Sequence, residues 1–190
     1  MKIGIIDCGG ANLNSIYYSF KRINIKSYIS NSLSELEKMD ALILPGVGTA
    51  GVVMNKLKEN NLINLIQETT KPTLGICIGM QILFDYSEED DTNCLGIIEG
   101  VVKKLKPNKD IKVPQMGWNK VITNVDNIGG YYYFANSYYT DNDDYAVGHS
   151  YYGKKINSIV KKDNFLGCQF HPEKSSDIGE KFIKNFINLV

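Results

Sequence analysis

The chain has 190 residues, of which 43% are hydrophobic, and its 21 basic side chains are matched by 21 acidic ones. This length allows one well-buried core, and the zero formal charge without a long basic run argues against nucleic acid as a partner. The first apolar run, residues 1–7, is too short for a signal peptide or a membrane span, and the four cysteines form no regularly spaced framework. We therefore expect a cytoplasmic protein with no membrane association.

The first half of the chain alternates apolar runs with helical patterns, which is typical of βαβ units. Such units place parallel strands side by side, with their carboxyl ends at one edge of the sheet. The predicted strands are 2–7, 27–30, 41–45 and 73–77, and the predicted helices are 14–23, a short helix from 34, helical segments within 50–68, and 78–86.

The second half is rich in tyrosine and β-branched residues, which predicts a mixed or antiparallel sheet. An amphipathic helix over 178–187 closes the chain, because its apolar side chains recur at helical spacing. Neither repeats nor low-complexity linkers divide the sequence, so we expect one domain over residues 1–190. The predicted strands are 97–102, 112–122, 131–138 and 156–160, and the polar loops are 88–93, 124–130 and 141–144.

One cysteine stands between two glycines where an apolar strand turns into a helix, in Gly75-Ile76-Cys77-Ile78-Gly79. This G-x-C-x-G turn is the thiol counterpart of the G-x-S-x-G elbow, in which glycines relieve crowding so that the nucleophile projects from the sheet. A helix N-terminus favours the thiolate of Cys77, and the Ile78 amide can point at a developing oxyanion. The alternative is a buried structural cysteine beside two packing glycines.

A histidine and a carboxylate lie two residues apart near the C-terminal end, in His171-Pro172-Glu173. Residues i and i+2 of a strand share a face, and Pro172 biases His171 toward extended geometry. The carboxylate can then orient the imidazole ring. Cys77, His171 and Glu173 are therefore predicted to be nucleophile, base and orienter. The other histidine, His149, lacks a carboxylate at i+2 and is interpreted as a surface or turn residue.

The spacing of Cys168 and His171 raises the question of a metal site. Zinc needs three or four ligands, and no second Cys/His pair stands nearby. We predict no metal and no cofactor, and we interpret Cys168 as a small apolar strand residue.

These segments resemble the class I glutamine amidotransferases, whose Cys-His-Glu triad releases ammonia from glutamine. More narrowly, they are similar to the glutaminase subunits of imidazole glycerol phosphate synthase. The resemblance implies a single-domain α/β, flavodoxin-like fold, with a mostly parallel central sheet and a mixed or antiparallel second half. The motifs that carry the resemblance, in the family's order, are residues 7–15, 44–48, 75–81, 116–119, 136–139 and 169–175.

The resemblance also implies how glutamine is held. Backbone amides of Val47 and Ile78 are the expected oxyanion donors, and an acidic side chain suits the ammonium group of the substrate. For Glu89 the alternative is a solvated acidic loop, and for the glycines near Val47 it is a tight turn without catalytic role. The residues that the resemblance assigns to substrate binding are Gly46, Gly48, Gln81, Glu89, Ser137 and Tyr138.

A partner is implied as well, because ammonia that escapes into neutral water becomes unreactive ammonium. By resemblance the partner is a (β/α)8-barrel cyclase, which forms a heterodimer over the active-site face and receives the ammonia in histidine biosynthesis. An exposed Trp118 would be a plausible anchor, although ordinary core packing is the alternative. The residues in motifs that the family uses at or near this interface are Asn12, Trp118, Asn119 and Lys174.

The chain departs from the family's pattern outside the triad. Gln115 and Asn136 each stand where the family usually has histidine, Cys8 replaces a tyrosine, and Thr49-Ala50 replaces Ala-Phe. These positions lie in segments expected near the substrate and the partner. One alternative is therefore a paralogous glutaminase that supplies ammonia for amidation of a sugar or sugar nucleotide in surface-glycan synthesis.

Two other classes of protein fit parts of the pattern. A cysteine peptidase or related hydrolase would also use Cys77 and His171, but it would need no synthase partner and would not prefer free glutamine. A non-enzymatic regulatory or scaffold module could retain the fold. The intact Cys-His-Glu set argues against this last alternative.

Overall fold

The computed structural model describes residues 1–9, 12–46, 48–109 and 111–189. In this part of the chain the strands form one sheet of nine strands and one of four. The strands are β1 (Lys2–Ile6), β2 (Lys26–Ser30), β3 (Ala41–Leu44), β4 (Thr73–Ile76), β5 (Phe84–Ser87), β6 (Thr92–Asn93), β7 (Ile98–Lys104), β8 (Gln115–Thr123), β9 (Gly130–Asn136), β10 (Tyr138–Tyr139), β11 (Ala146–Tyr151), β12 (Lys155–Lys162) and β13 (Phe165–Cys168).

Helices of very different length connect these strands. The longest closes the described chain and is amphipathic, as its sequence spacing predicts. The α-helices are α1 (Leu13–Arg22), α2 (Leu33–Leu36), α3 (Ala50–Glu59), α4 (Ile63–Glu68), α5 (Ile78–Gln81) and α6 (Ser176–Ile187), and single 3₁₀ turns occupy Glu89–Asp91, Asp143–Tyr145 and Pro172–Lys174.

The nine-stranded sheet is parallel in one half and antiparallel in the other, with the order β2-β1-β3-β4-β13-β12-β11-β8-β9. Strands β1, β2, β3, β4 and β13 are parallel neighbours, and the remaining pairs are antiparallel. Both β3 and β4 are buried along their whole length, which explains their continuous apolar sequences. The predicted division between a parallel first half and a mixed second half is confirmed.

The last strand of the chain, β13, lies between β4 and β12 and so joins the two halves. Cys168 at its end is the register partner of Ile76 at the end of β4. The backbone N–H of Cys77 donates to the Cys168 carbonyl at 2.8 Å. The segments that follow these two strands therefore leave the same edge of the sheet, and they carry Cys77 and His171.

One predicted helix is wrong in extent. The helix predicted over 78–86 ends at Gln81, and the chain enters β5 at Phe84. Ile82 and Leu83 between them are fully buried, and β5 pairs with β6 and β7, so tertiary pairing overrides the local helical pattern. The helical segments predicted within 50–68 are α3 and α4, which are separated by a turn in which Asn61 has φ +56°.

Other differences concern strands. The predicted strand 131–138 is interrupted after Asn136, because β9 belongs to the large sheet while β10 pairs with β7 in the small one. Strand β11 was not predicted, and it contains His149, which is therefore a strand residue rather than a turn residue. The polar loop predicted at 88–93 instead contains a 3₁₀ turn and β6.

Buried apolar side chains form two main clusters. Ile3 and Ile5 of β1 belong to one cluster and Ile6 to the other, which places the clusters on opposite faces of the sheet. The first contains a group of aromatic rings in which Tyr132 and Phe170 stack with centroids 3.9 Å apart. Among the described residues, no helix is long and apolar enough to cross a membrane.

Candidate active site

Cys77 occupies a strained turn between β4 and α5. Its backbone has φ 55° and ψ −111°, in a region that L-residues seldom adopt. The flanking glycines are required by close backbone approach: a Cβ on Gly79 would lie 1.8 Å from the carbonyl oxygen of Leu44, and a Cβ on Gly75 would lie 2.5 Å from that of Gly79. The packing of α5 against the ends of β3 and β4 thus holds Cys77 in this conformation.

The turn after β3 touches the beginning of α5. A Cβ on Gly46 would lie 2.4 Å from the backbone nitrogen of Ile78, so only glycine fits there. As the first residue of a helix, Ile78 has no preceding turn to accept its N–H, which suits the predicted oxyanion role. Gly48 has φ +99°. Val47, the other predicted donor, lies outside the described residues, and its role stays a prediction.

The second segment of the site carries His171 and Glu173. Nδ1 of His171 lies 2.8 Å from Oε1 of Glu173. Glu173 lies in the 3₁₀ turn Pro172–Lys174, so the predicted strand geometry is wrong for this residue, and the tight turn brings the carboxylate back to the ring. Nδ2 of Asn12 donates to the same oxygen at 2.6 Å. Asn12, expected at the partner interface, therefore contacts the carboxylate of the site.

The Cys77 side chain is close enough to the imidazole of His171 to raise the pKa of that ring. Burial by itself would lower the pKa of His171, but the hydrogen bonds with Cys77 and Glu173 and the charge of Glu173 outweigh burial and raise this pKa from 6.5 to about 10. The ring consequently carries a proton at neutral pH. It can deliver that proton to a group that leaves the substrate.

The other three cysteines do not share this environment. Burial raises the pKa of the Cys8 and Cys94 thiols to about 12, and it raises the pKa of Cys168 well above its ordinary value. A thiol that stays protonated is a poor nucleophile. Cys168 is fully buried in β13, where the sequence predicts a small apolar strand residue. Within the described ranges, no group of three or more His, Cys, Asp or Glu side chains is arranged to hold a metal ion.

Comparison with known proteins assigns the chain to a family. Residues 4–189 match the family model described as glutamine amidotransferase class-I. The chain belongs to the class I glutamine amidotransferases. It is accordingly an enzyme of the glutamine amidotransferase type.

Individual relatives cover nearly the whole chain. Imidazole glycerol phosphate synthase subunit HisH 2 from Legionella pneumophila (strain Paris) is 42% identical, and the match covers 98% of each chain. The protein of the same name from Campylobacter jejuni (strain RM1221) is 45% identical, again over 98% of each chain. A crystal structure of a glutamine amidotransferase has a TM-score of 0.79 at 18% identity, with 98% of this chain and 97% of that chain covered, and it supports the fold.

Amide side chains line the amidotransferase site beside Cys77. Nε2 of Gln81 donates to Oε1 of Gln169 at 2.8 Å and to the carbonyl oxygen of Tyr138 at 3.1 Å. Nε2 of Gln169 in turn lies 3.7 Å from Sγ of Cys77. Sequence reasoning assigned no role to Gln169. The sequence feature that could have identified Gln169 is its polar side chain within the otherwise apolar run just before His171.

Glu89, Tyr138 and Ser137 are further residues predicted to bind glutamine. Oε2 of Glu89 accepts a hydrogen bond from the backbone N–H of Ala50 at 2.8 Å, at the start of α3. Glu89 is half-buried, and burial raises the pKa of its carboxyl group. Burial and the charge of Glu89 raise the pKa of Tyr138. Ser137 is half-buried at the break between β9 and β10.

Two of the four residues predicted at the partner interface, Trp118 and Lys174, lie beside the same tyrosine. The side chain of Trp118 is 53% exposed and packs edge to face on Tyr133, with ring centroids 6.3 Å apart. Nζ of Lys174 lies 6.0 Å from the centroid of the same tyrosine. Nδ2 of Asn119 instead donates to the carbonyl oxygen of Tyr151 at 3.0 Å, since neighbouring strand residues point to opposite faces. Ordinary core packing is thus wrong for Trp118.

Proposed function

We propose that this chain is the glutaminase subunit of an imidazole glycerol phosphate synthase and supplies ammonia for histidine biosynthesis. The observation that carries the proposal is the strained turn that presents Cys77 beside His171, whose ring is paired with Glu173. The 42% and 45% identical relatives named as a subunit of that synthase support the same function. We propose further that residues 1–190 form one domain and act in the cytoplasm.

The first half of the reaction releases ammonia. The sulfur of Cys77 attacks the side-chain amide carbon of glutamine, and the carbonyl oxygen takes up negative charge. The Ile78 N–H stabilises this oxyanion, with Val47 as the expected second donor. His171 then gives its proton to the amide nitrogen, the C–N bond breaks, and ammonia leaves a thioester on Cys77.

The second half restores the enzyme. The now neutral His171 accepts a proton from water as the water oxygen attacks the thioester carbon. The C–S bond breaks, glutamate leaves, and the site returns to sulfur beside a protonated ring. Glu173 orients the imidazole through both halves, and Asn12 fixes the carboxylate by its hydrogen bond.

The proposed partner is a (β/α)8-barrel cyclase. We define the Trp118 patch as the exposed side chains of Trp118 and Lys174 together with the half-buried Tyr133 beside both. An aromatic anchor and a cation make this patch suitable for protein binding. Tyr133 lies on β9, and its backbone carbonyl oxygen accepts a hydrogen bond from the backbone N–H of His171 at 2.9 Å. A partner that covers this patch is therefore close to the site from which ammonia departs.

A second acceptor for the ammonia is favoured by one observation. Gln115 and Asn136, which replace the family's usual histidines, are register partners at adjoining ends of β8 and β9. Two paired residues near Tyr138 thus both differ from the family's usual histidine. This joint difference fits a paralogous enzyme that amidates a sugar or sugar nucleotide. Co-purification of the partner, followed by transfer assays with each acceptor, separates the two functions.

The nucleophile is tested by Cys77→Ala. We expect glutamate release from glutamine, measured with the partner present, to fall by more than about a thousandfold, because the covalent route is lost. Circular dichroism and partner binding should remain unchanged. Cys94→Ala is the matched control and should retain the rate. Retained glutaminase activity in Cys77→Ala would exclude the proposed mechanism.

A further inference from the structure

Gln115 and Asn136 form a buried amide pair close to the site. Gln115 begins β8 and Asn136 ends β9, and the two residues are register partners. Directly opposed residues of an antiparallel pair place their side chains on the same face. Gln115 is 2% exposed and Asn136 is 5% exposed.

Most polar atoms of this pair lack a protein partner. Nε2 and Oε1 of Gln115 and Oδ1 of Asn136 are buried and form no hydrogen bond with any described residue. A buried polar atom left in this condition destabilises the folded protein. Three such atoms on two register partners are therefore best explained by a bound molecule, since native proteins pair nearly all of their buried polar groups.

The pair is connected to the nucleophile through main chain and amides. Nδ2 of Asn136 donates to the carbonyl oxygen of Tyr138 at 3.0 Å, and this oxygen also accepts from Nε2 of Gln81. Gln81 is bonded to Gln169, which contacts the sulfur of Cys77. A molecule held by Gln115 and Asn136 thus lies at the far end of a hydrogen-bonded chain that begins at the reacting atom.

We propose that Gln115 and Asn136 form an internal binding site for one small neutral molecule with the hydrogen-bonding chemistry of water or ammonia. The ligand must accept a hydrogen bond from Nε2 of Gln115 and donate to Oε1 of Gln115 and Oδ1 of Asn136. Water and ammonia each meet this requirement. A cation such as ammonium would leave the donor unpaired, and an anion would face two carbonyl oxygens.

The inference rests on the proposed function, because that reaction consumes water and releases ammonia. The bound molecule also fixes the orientation of the Asn136 amide. With Oδ1 engaged by the ligand, Nδ2 must face the Tyr138 carbonyl, which is the orientation observed. Gln115 is by this argument a positioning residue for the strand break that contains Ser137 and Tyr138.

A high-resolution crystal structure of the full chain tests the site directly. We expect one density peak within about 3.2 Å of both Oε1 of Gln115 and Oδ1 of Asn136. In Gln115→Met, which removes both polar atoms at similar volume, the peak should be absent. A wild-type structure in which Nε2 of Gln115 donates directly to Oδ1 of Asn136, with no peak between them, would overturn the proposal. The wild-type crystal structure tests the proposal even when Gln115→Met fails to fold.

Transfer assays with the synthase partner identify the occupant. When the site carries departing ammonia, Gln115→Met should lower the ratio of aminated product to glutamate severalfold. When the site holds water alone, that ratio should stay unchanged while the crystallographic peak is still lost. Gln67→Met removes an amide that bonds the Leu95 carbonyl elsewhere and is the matched control. The crystallographic arm needs no glutaminase activity, so failure of the proposed function remains distinguishable from failure of the site.

Discussion

At the scale of single residues, the chemistry depends on contacts between side chains that are distant in the sequence. Residue types and spacing predict the nucleophile, the base and the orienter. The bond from Asn12 to Glu173 joins residues 161 positions apart, so only the fold reveals it. Gln169 was missed for the same reason, because its neighbour Cys77 is 92 positions away.

The raised pKa of His171 predicts a specific pH dependence of stability. This pKa is 6.5 ordinarily and about 10 in the folded protein, so the folded state binds the proton more tightly. The stabilisation is complete below about pH 6.5, decreases as the pH rises, and is lost above about pH 10. The free energy of unfolding of the wild type minus that of His171→Asn should therefore decline across this range in urea titrations.

A variant separates the causes of this effect. Cys77→Ala removes one of the interactions that raise the pKa of His171. In this background the contribution of His171 to the free energy of unfolding should therefore be lost at a lower pH. A difference between wild type and His171→Asn that is constant from pH 6.5 to 10 would contradict the raised pKa.

At the scale of elements, the turn that presents Cys77 is the feature best predicted from sequence. Two glycines around a cysteine, after an apolar strand, specify the elbow, and the structure shows the close contacts that require them. The length of α5 was not predictable, since its end is set by the pairing of β5 with strands that follow later in the chain. The turn at Glu173 likewise depends on its contacts with His171 and Asn12 rather than on local propensity.

Gly79→Ala tests whether close packing holds the elbow. The added Cβ would lie 1.8 Å from the carbonyl oxygen of Leu44, and backbone cannot move aside easily. We expect a loss of about 3 kcal/mol in the free energy of unfolding, measured by urea denaturation, together with loss of glutaminase activity. Gly129→Ala, whose Cβ would meet its nearest atom at an ordinary 3.6 Å, is the control. Equal stability of the two variants would argue against the packing account.

At the scale of the whole molecule, the order of strands brings the site together. Because β13 lies beside β4, the last strand of the chain places His171 next to a turn formed by residue 77. The sequence predicts a parallel half from its βαβ pattern and a mixed or antiparallel half from its composition, but it does not specify that β13 joins them. The edge strand β9 carries Tyr133 of the Trp118 patch, which lies at the opposite end of the sheet from β2.

The Trp118 patch predicts where the partner binds. Trp118→Ala should weaken binding of the purified synthase partner about 30-fold, measured by titration calorimetry, because a central aromatic anchor contributes about 2 kcal/mol or more. Tyr28→Ala is the matched control, since Tyr28 is also exposed but lies on β2 at the other edge. Unchanged affinity in Trp118→Ala would place the interface elsewhere.

The central claim is that Cys77 attacks glutamine with His171 beside it, and mass spectrometry of the quenched reaction tests it most directly. The complex with its partner is mixed with glutamine, stopped in acid during turnover, digested and analysed. We expect a γ-glutamyl thioester on the peptide that contains Cys77, and its absence in Cys77→Ala. Glutamate formed at the full rate with no covalent intermediate, or with the acyl group on another cysteine, would contradict the account.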